Sequence, residues 1–547
     1  MAPVEYILEE KASVAAATER VQAARAAKKR PDEAAALLVL ARAHGAAAVF
    51  SEALLAAEQG LAIRRELKDS KGEAAMLYAT AGLHLARGSA GEALHDATEA
   101  LKLFQAAGDK RMESAALHAV GEARLASQEH QEVFKACDAG IAAARAAGHK
   151  RGEALIQCLM ASARLSLGKA EEALAPAKDA LASCAALNDV ACEETALDAL
   201  IAVHAAKKTL EEAMGDVQMV REKKRSAGDK AQEAAILCKV VKVHEMQEEY
   251  ASAANVARQA VALAVAAGAP AAEAAAKLAL ARACAGNEEY EEAVKAGQEA
   301  KKLYQGLEDT TGQAEAMEAI INAHAREGTL DEGLHAASEA LERYRVAGDP
   351  RMQAAMFLAM AELNTRMRDV EGALVFFKKA RSTFNEIKDC RSEASAFGKL
   401  AQVTTTIGDV DEATWSVQRA TALFRKMRDK VGEAGITLAA ADICFAKAWG
   451  FVVQGSELKA EAQTKDALRN AEIALGMFRT ASDKHGQVLA LLNVGNAQLM
   501  RKDPAAASAS ASEAMALCQE LADDRGRAGA NLIAAGAHLM QGEADAA

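Results

Sequence analysis

A repeat of forty residues runs through the chain and constrains its fold more than any other feature. Asp69, Asp109 and Asp189 are three of the residues that recur at this interval, and most of them have an acidic or amide residue four positions later. That second series is Glu33, Glu73, Glu113, Glu153, Glu193, Glu233, Glu273, Gln313, Gln353, Glu393, Glu433, Gln487 and Arg527. A fixed period of this size is typical of an array whose units bury their apolar faces only against their neighbours. We therefore expect one elongated body of thirteen units.

Each unit carries two apolar stripes at helical spacing, which predict a helix A followed by a helix B. Gly88 falls between the two stripes of one unit, and Gly108 closes its second helix, where a left-handed residue is needed. The next residue, Asp109, is a good N-cap for the following helix A. Aromatic residues make up only 4% of the chain and it has six prolines, which argues against a β-sheet. With one unpaired helix at the front, the count is about 26 helices.

Small residues recur at two positions of helix B, and together with the turn glycines they resemble the tetratricopeptide repeat (TPR). One unit shows the pattern as Leu117, Val120, Gly121, Val133, Cys137 and Gly140. The period is similar to that of the longer subtype found in kinesin light chains, rapsyn and Pins-type adaptors. The resemblance implies an all-α, right-handed α-solenoid of stacked antiparallel helix pairs, a TPR-like superhelix. A HEAT array has a similar period and is the alternative fold.

The register divides the chain into four segments. Residues 1–29 are expected to form an N-terminal capping helix, and residues 30–448 to form repeats 1–11, with the eleventh interrupted. Fourteen extra residues separate Asp429 from Asp483, and we place them as an insertion, residues 449–462, at the turn between helices A and B. Trp449 and Phe451 then form an apolar patch on the rim of the solenoid. Residues 463–547 complete repeat 11 and supply repeat 12 and a final unpaired helix A.

In the TPR family, partners bind on the face of helix A that lines the concave surface. By this resemblance the early repeats present an apolar stripe and the later ones a polar and basic stripe. The candidate residues are Tyr78, Leu85, His118, Leu125, Leu165, Lys239, Lys242, Arg282, Asn322, Arg326, Arg366, Lys399, Asn493 and Asn496. An apolar stripe on a surface usually marks a partner, whereas charged residues usually face solvent. We expect a protein or peptide segment to bind there.

The sequence carries no pattern that indicates an enzyme or a cofactor. Six histidines recur at one position of helix A, a full unit or more apart, so we interpret them as packing residues and not as metal ligands. Nine cysteines without a CxxC pair predict free thiols in a reducing compartment. The net charge of -12 argues against nucleic-acid binding, and we expect no membrane insertion.

These observations predict a cytoplasmic, non-enzymatic scaffold or adaptor. The alternative is a regulatory solenoid subunit or fragment that positions a catalytic or motor partner in a larger complex. The final helix A has no helix B to cover its apolar residues, among them Leu539. Because an array normally needs polar caps at its ends, self-association through the solenoid ends is a further expectation.

Overall fold

The computed structural model describes residues 13–46, 49–127, 129–187, 189–307, 309–347, 350–427, 429–481, 483–521 and 523–542. These residues form 26 helices and no strand. The helices are α1 Val14–Ala26, α2 Arg30–Ala46, α3 Phe50–Glu66, α4 Ser70–Ala86, α5 Ala90–Ala106, α6 Lys110–Ala126, α7 His130–Ala146, α8 Lys150–Ser166, α9 Ala170–Leu187, α10 Val190–Lys207, α11 Leu210–Ser226, α12 Lys230–Met246, α13 Tyr250–Ala267, α14 Pro270–Gly286, α15 Tyr290–Gly306, α16 Thr310–Glu327, α17 Leu330–Ala347, α18 Pro350–Arg366, α19 Val370–Glu386, α20 Cys390–Thr406, α21 Val410–Met427, α22 Lys430–Val453, α23 Glu457–Ala481, α24 Lys484–Met500, α25 Pro504–Leu521 and α26 Asp524–Gln541.

The even-numbered helices are the predicted A helices, and the odd-numbered ones from α3 onward are the B helices. The predicted all-α repeat fold is therefore confirmed. Residues 1–12 of the expected capping helix lie outside the described residues, and the described part of that helix is α1. The chain divides into two compact units, of which the first holds most residues up to Asp389 and the second runs from Cys390 to the end, with two short turn segments assigned to it.

The turns between repeats follow the predicted chemistry. Asp69 accepts a hydrogen bond from the backbone N–H of Gly72 at 3.0 Å, and Asp229 caps the start of α12 in the same way. Gly108 and Gly228 have positive φ angles, as the turn requires. Lysine, glutamate or arginine takes this left-handed position in several other turns, one of them at Lys388. Because a side chain strains this conformation, those turns are less stable than the glycine turns.

The core is a ladder of alanines that lets three helices approach closely. Ala253 and Ala293, on α13 and α15, are fully buried in one apolar cluster with Ala281 and Ala316 from the A helices α14 and α16. In unit 2 the fully buried Ala467 and Ala507 have the equivalent place on α23 and α25. Each repeat thus buries its apolar face against its neighbours, which is the packing expected of a repeat array.

The fourteen extra residues do not form the predicted loop. They lengthen α22 to 24 residues and α23 to 25, each about two turns longer than its counterparts, and leave only residues 454–456 as the turn. Trp449 and Phe451 therefore lie on α22, near the tip of a long helical hairpin. The turn falls at Gly455, which has a positive φ that glycine adopts without strain.

Helix α22 is also long and apolar enough to cross a membrane, judged by length and composition alone. Ala434, Ile436 and Ala441 of this helix are buried in the described structure. A core helix can pass the same test, so a single helix of this kind is weak evidence for a membrane span.

The prediction that all cysteines are free thiols is wrong for one pair. Cys184 at the end of α9 and Cys192 in the first turn of α10 form a disulfide, and their Cα atoms are 5.5 Å apart. The turn between the two helices brings together residues that are eight positions apart in the sequence. The other seven cysteines form no disulfide in the described structure.

Candidate functional site

The A helices expose the same register position in successive repeats, on the side turned away from their paired B helices. We call this surface, in each of the two compact units taken separately, the A face. The exposed position carries Gly82, Glu122, Ser162, Ala202, Lys242, Arg282, Asn322, Glu362, Gln402, Asp442 and Asn496. The residues on either side of it, for example Ala81 and Leu83, are buried in the core. The A face is thus the surface on which the chain can vary without disturbing its packing.

The predicted apolar residues of the early repeats lie beside this exposed position but are only half exposed. Tyr78, Leu85, His118, Leu125 and Leu165 all have intermediate burial. Leu125 packs against the buried cluster around Ile156. These residues therefore contribute to the contacts between repeats as well as to the surface, so the open apolar stripe expected from the sequence is narrower than predicted.

Tyr78 shows how closely neighbouring A helices approach one another on this face. Removal from water raises the pKa of its phenol, and the nearby charge of Glu122 on α6 adds to the rise. Arg42 on α2 and Arg151 on α8 oppose the rise. Charges from three other A helices thus act on one side chain.

The predicted basic stripe is paired with acidic residues of neighbouring repeats. Lys239 and Lys242 on α12 both contact the carboxylate of Asp198 on α10, at 2.7 and 3.0 Å. Arg282 on α14 contacts Glu315 on α16 at 2.9 Å. Each of these three cations thus reaches an acid on an adjacent A helix, so the positive charge of the polar and basic stripe is paired at these positions.

The remaining predicted residues also lie on A helices. Arg366 donates to the backbone carbonyl of Ala325 at 3.3 Å. The guanidinium of Arg326 lies 6.0 Å from the ring centre of Tyr250. Further candidates are Asn322 and Asn496, which are exposed, and Lys399, which is half-buried.

Asn493 on α24 donates to the Asp442 carboxylate of α22 at 2.9 Å. Asp442 is exposed at its outer edge, yet the surrounding helices displace enough water to raise the pKa of its carboxyl group. The Asn493 hydrogen bond partly opposes that rise. The sequence pattern did not indicate Asp442 as a candidate. Only its register position, which is that of Gln402 in the preceding A helix, placed it on this surface.

The repeated histidines hold helix A to its own helix B, as predicted. His204 is fully buried, with its Nδ1 2.8 Å from the Thr209 hydroxyl and its Nε2 3.1 Å from Asp216. His244 and His324 make the same kind of contact with Glu249 and Thr329. Since these partners belong to the same repeat, the histidines work as separate packing contacts.

His84 remains neutral for an identifiable reason. Burial lowers the pKa of its imidazole to about 4, and the Arg87 guanidinium contributes to the fall. Arg87 lies 3.0 Å from Nδ1. Because a guanidinium can only donate, Nδ1 accepts and the proton stays on Nε2, 3.6 Å from Asp96.

One group of potential metal ligands occurs among the described residues, formed by Cys284, Glu289 and Glu292. The Arg258 guanidinium donates to both carboxylates, to Glu292 at 2.6 Å, and lies near the Cys284 sulfur. The Arg258 side chain already supplies the positive charge that pairs with the two carboxylates. The cluster is therefore an ion-pair network between α13 and the α14–α15 turn.

A cavity of about 740 Å³ opens between the A helices α20 and α22 of unit 2. Its floor includes Ala401, Ile436 and Leu438, and Asp442 lies on its α22 wall. The other wall carries polar residues of α20, namely Lys399, Gln402, Thr405 and Thr406. Its size is that of a typical ligand pocket.

Gly398 lines the cavity and contributes to its space. In other A helices the equivalent position carries a side chain, such as Tyr78, Leu278 or Leu358. A Cβ atom added at Gly398 would meet only the Ile436 Cδ1 atom, at an ordinary contact distance of 3.6 Å. The missing side chain at this position of the repeat thus contributes to the open space.

No protein-family model matches the chain, and no curated protein matches it. Several solved structures are similar in fold. BtubC from P. vanneervenii is 14% identical with a TM-score of 0.34, and the match covers 43% of this chain and 90% of that one. A Rap protein complexed with competence and sporulation factor is 13% identical with a TM-score of 0.35, and the match covers 64% and 99%.

A signal-transduction ATPase with a tetratricopeptide repeat sensor, from Pyrococcus horikoshii, is 14% identical with a TM-score of 0.35, and the match covers 60% and 52%. The described residues of this chain form a repeat array of consecutive helix pairs. At these identities and TM-scores the matches carry no argument about function, so any function has to be argued from the chain's own residues.

Proposed function

We propose that the chain is a non-catalytic scaffold in the cytoplasm that holds a segment of a partner protein along its A face. The observation that carries this proposal is the column of exposed register positions on successive A helices. Elsewhere in these helices the repeat demands small or apolar residues, whereas this column varies freely in charge and size, from Gly82 to Arg282. A surface that packing does not constrain is one that recognition can use.

Because the basic residues of the A face are already paired, a strongly acidic segment is not favoured as the partner. The partner is an extended or helical segment that does not depend on strong negative charge. Since Lys242 and Arg282 already contact Asp198 and Glu315, a partner meets alternating charges beside half-buried apolar residues. Such a surface supports apolar anchoring with polar contacts that fix the register. Exposed ion pairs contribute little affinity by themselves, so apolar contacts should supply most of it.

Gly82 offers a clean test, because a side chain added there would meet no other atom within 4 Å. Gly82→Trp should therefore block the A face of unit 1 without disturbing the fold. Gly215, on the B helix α11, is equally open, and Gly215→Trp puts the same side chain on the opposite kind of surface. Peptides selected by display on the full chain should lose at least about tenfold in affinity with Gly82→Trp and keep it with Gly215→Trp.

Equal affinity of both variants for the selected peptides would refute A-face binding in unit 1. If the chain binds a folded protein and no peptide, and Gly82→Trp still binds that protein, the result would instead support a regulatory solenoid that positions a larger partner.

A further inference from the structure

The cavity between α20 and α22 differs from the rest of the A face in charge as well as in shape. Elsewhere on the A face, ion pairs join Lys239, Lys242 and Arg282 to acidic residues. Asp442, in the described structure, instead accepts a hydrogen bond from the neutral amide of Asn493. A carboxylate at the wall of a pocket, hydrogen-bonded only to an amide, is an incomplete ion pair. Charge complementarity therefore calls for a cationic group from outside the chain.

The rest of the pocket suits a cation on an apolar stem. Ala401, Ile436 and Leu438 give the floor an aliphatic surface along which a methylene chain can lie. The hydroxyl of Thr405 donates to the carbonyl of Ala401 at 2.6 Å, and its neighbour Thr406 donates to its own helix in the same way. Because those protons are already used, these oxygens can only accept further hydrogen bonds, so α20 presents acceptors opposite the carboxylate.

We propose that this cavity binds an arginine side chain of the partner segment, with its guanidinium at Asp442 and its methylene stem on the apolar floor. The inference rests on the proposed function, since it assigns one contact of the segment held along the A face. Arginine fits better than lysine because its planar group carries five donors and can address the carboxylate and the threonine oxygens together. Desolvation raises the pKa of the Asp442 carboxyl group. A bound cation would lower this pKa again, because a nearby positive charge favours the carboxylate.

Lys399 also lines the cavity, on the α20 side. Asp442 lies on the α22 side and accepts a hydrogen bond from Asn493, so the arginine head group belongs at the α22 end.

The test uses the full chain and two small probes, Nα-acetyl-arginine amide and Nα-acetyl-citrulline amide, followed by ligand-observed NMR. Citrulline has nearly the same shape but no charge, so the comparison isolates the ion pair. We expect the arginine probe to bind at least about tenfold more tightly than citrulline. Asp442→Asn, which keeps the shape of the side chain, should remove that difference, whereas Asp411→Asn in the exposed first turn of α21 should leave it unchanged.

A second variant tests the cavity itself. Gly398→Leu restores the kind of residue that Leu278 and Leu358 provide in other repeats and should abolish probe binding. Because it replaces a glycine within a helix at a site with room for a Cβ atom, it should keep or raise the thermal unfolding midpoint. Gly398→Ala, which fills less of the space, should weaken binding by a smaller factor and serves if the leucine variant misfolds.

The proposal is overturned if the arginine probe does not bind, if citrulline binds equally well, or if folded Gly398→Leu binds like the unmodified chain. If peptides bind the chain and lose affinity in Gly82→Trp, but arginine is not preferred over citrulline, the A-face function stands and only this pocket is refuted. If Gly82→Trp leaves the peptide affinity unchanged and arginine is not preferred, the function is refuted as well.

Discussion

Removal of the buried Lys224 side chain should destabilise one repeat far more than removal of its exposed neighbour. Lys224 Nζ lies 2.5 Å from Glu193 Oε2, and the two side chains are 8% and 2% exposed. The other Glu193 oxygen has no hydrogen-bond partner in the described structure. Lys224→Met therefore leaves a carboxylate buried and unpaired, which typically costs about 3–5 kcal/mol.

The expected effect is local, because repeat stability is a sum of unit and interface contributions. Hydrogen–deuterium exchange over residues 190–226 should accelerate by roughly 10²–10⁴-fold, since about 1.4 kcal/mol corresponds to a factor of ten. Arg225→Met is the matched control. Arg225 pairs with Glu222 at 3.5 Å with both side chains 63% exposed, so its loss should cost less than about 0.5 kcal/mol.

The double variant Lys224→Met with Glu193→Met separates the unpaired charge from lost packing. Replacing a buried ion pair with apolar residues of similar volume is often neutral. Exchange in the double variant should return to within about tenfold of the unmodified chain. If it stays as fast as in the single variant, the carboxylate is not the cause and the reasoning fails.

Three further predictions follow from other parts of the chain. Ala293→Leu should overpack a fully buried junction and cost roughly 1–3 kcal/mol, and an unchanged unfolding midpoint would contradict the assigned packing. The pKa of His84 is lowered to about 4 in the fold, so its stabilising effect is present above pH 6.5 and lost as the pH falls toward 4. His84→Gln should therefore reduce the loss of stability between pH 7 and 5 by about 1 kcal/mol, after allowance for solvent screening. The exposed Trp449 and Leu539 should promote self-association, so light scattering of the unmodified chain should show a mass that rises with concentration and falls in Trp449→Glu or Leu539→Glu, whereas a constant monomer mass would contradict it.

The repeat period was sufficient to predict the helices because local chemistry and tertiary packing agree at each turn. Asp69 is both a good N-cap residue and the residue that accepts the Gly72 N–H. The alanines that the register placed between helices, such as Ala253, are fully buried. A pattern read within one unit predicts such features well, because the same unit supplies most of the contacts.

Contacts between units could not be predicted in this way. Lys239 and Asp198 are 41 positions apart and belong to different repeats. The helical pattern of a single repeat therefore does not indicate that they are in contact. The Cys184–Cys192 pair crosses a turn whose geometry, not its spacing, brings the sulfurs together.

The departures from the repeat are concentrated in unit 2, and they change its surface in two ways. Gly398 removes a side chain that other repeats use to fill the A face, and the extra residues of α22 and α23 project that hairpin roughly 10 Å beyond a normal one. Asp442 lies on the same helix as the exposed Trp449, about two turns away. A glycine within a helix lowers stability, and at Gly398 no neighbouring atom stands close enough to require it. What distinguishes Gly398 from other open helical glycines is that it lines the cavity beside Asp442, where the proposed ligand would use the space.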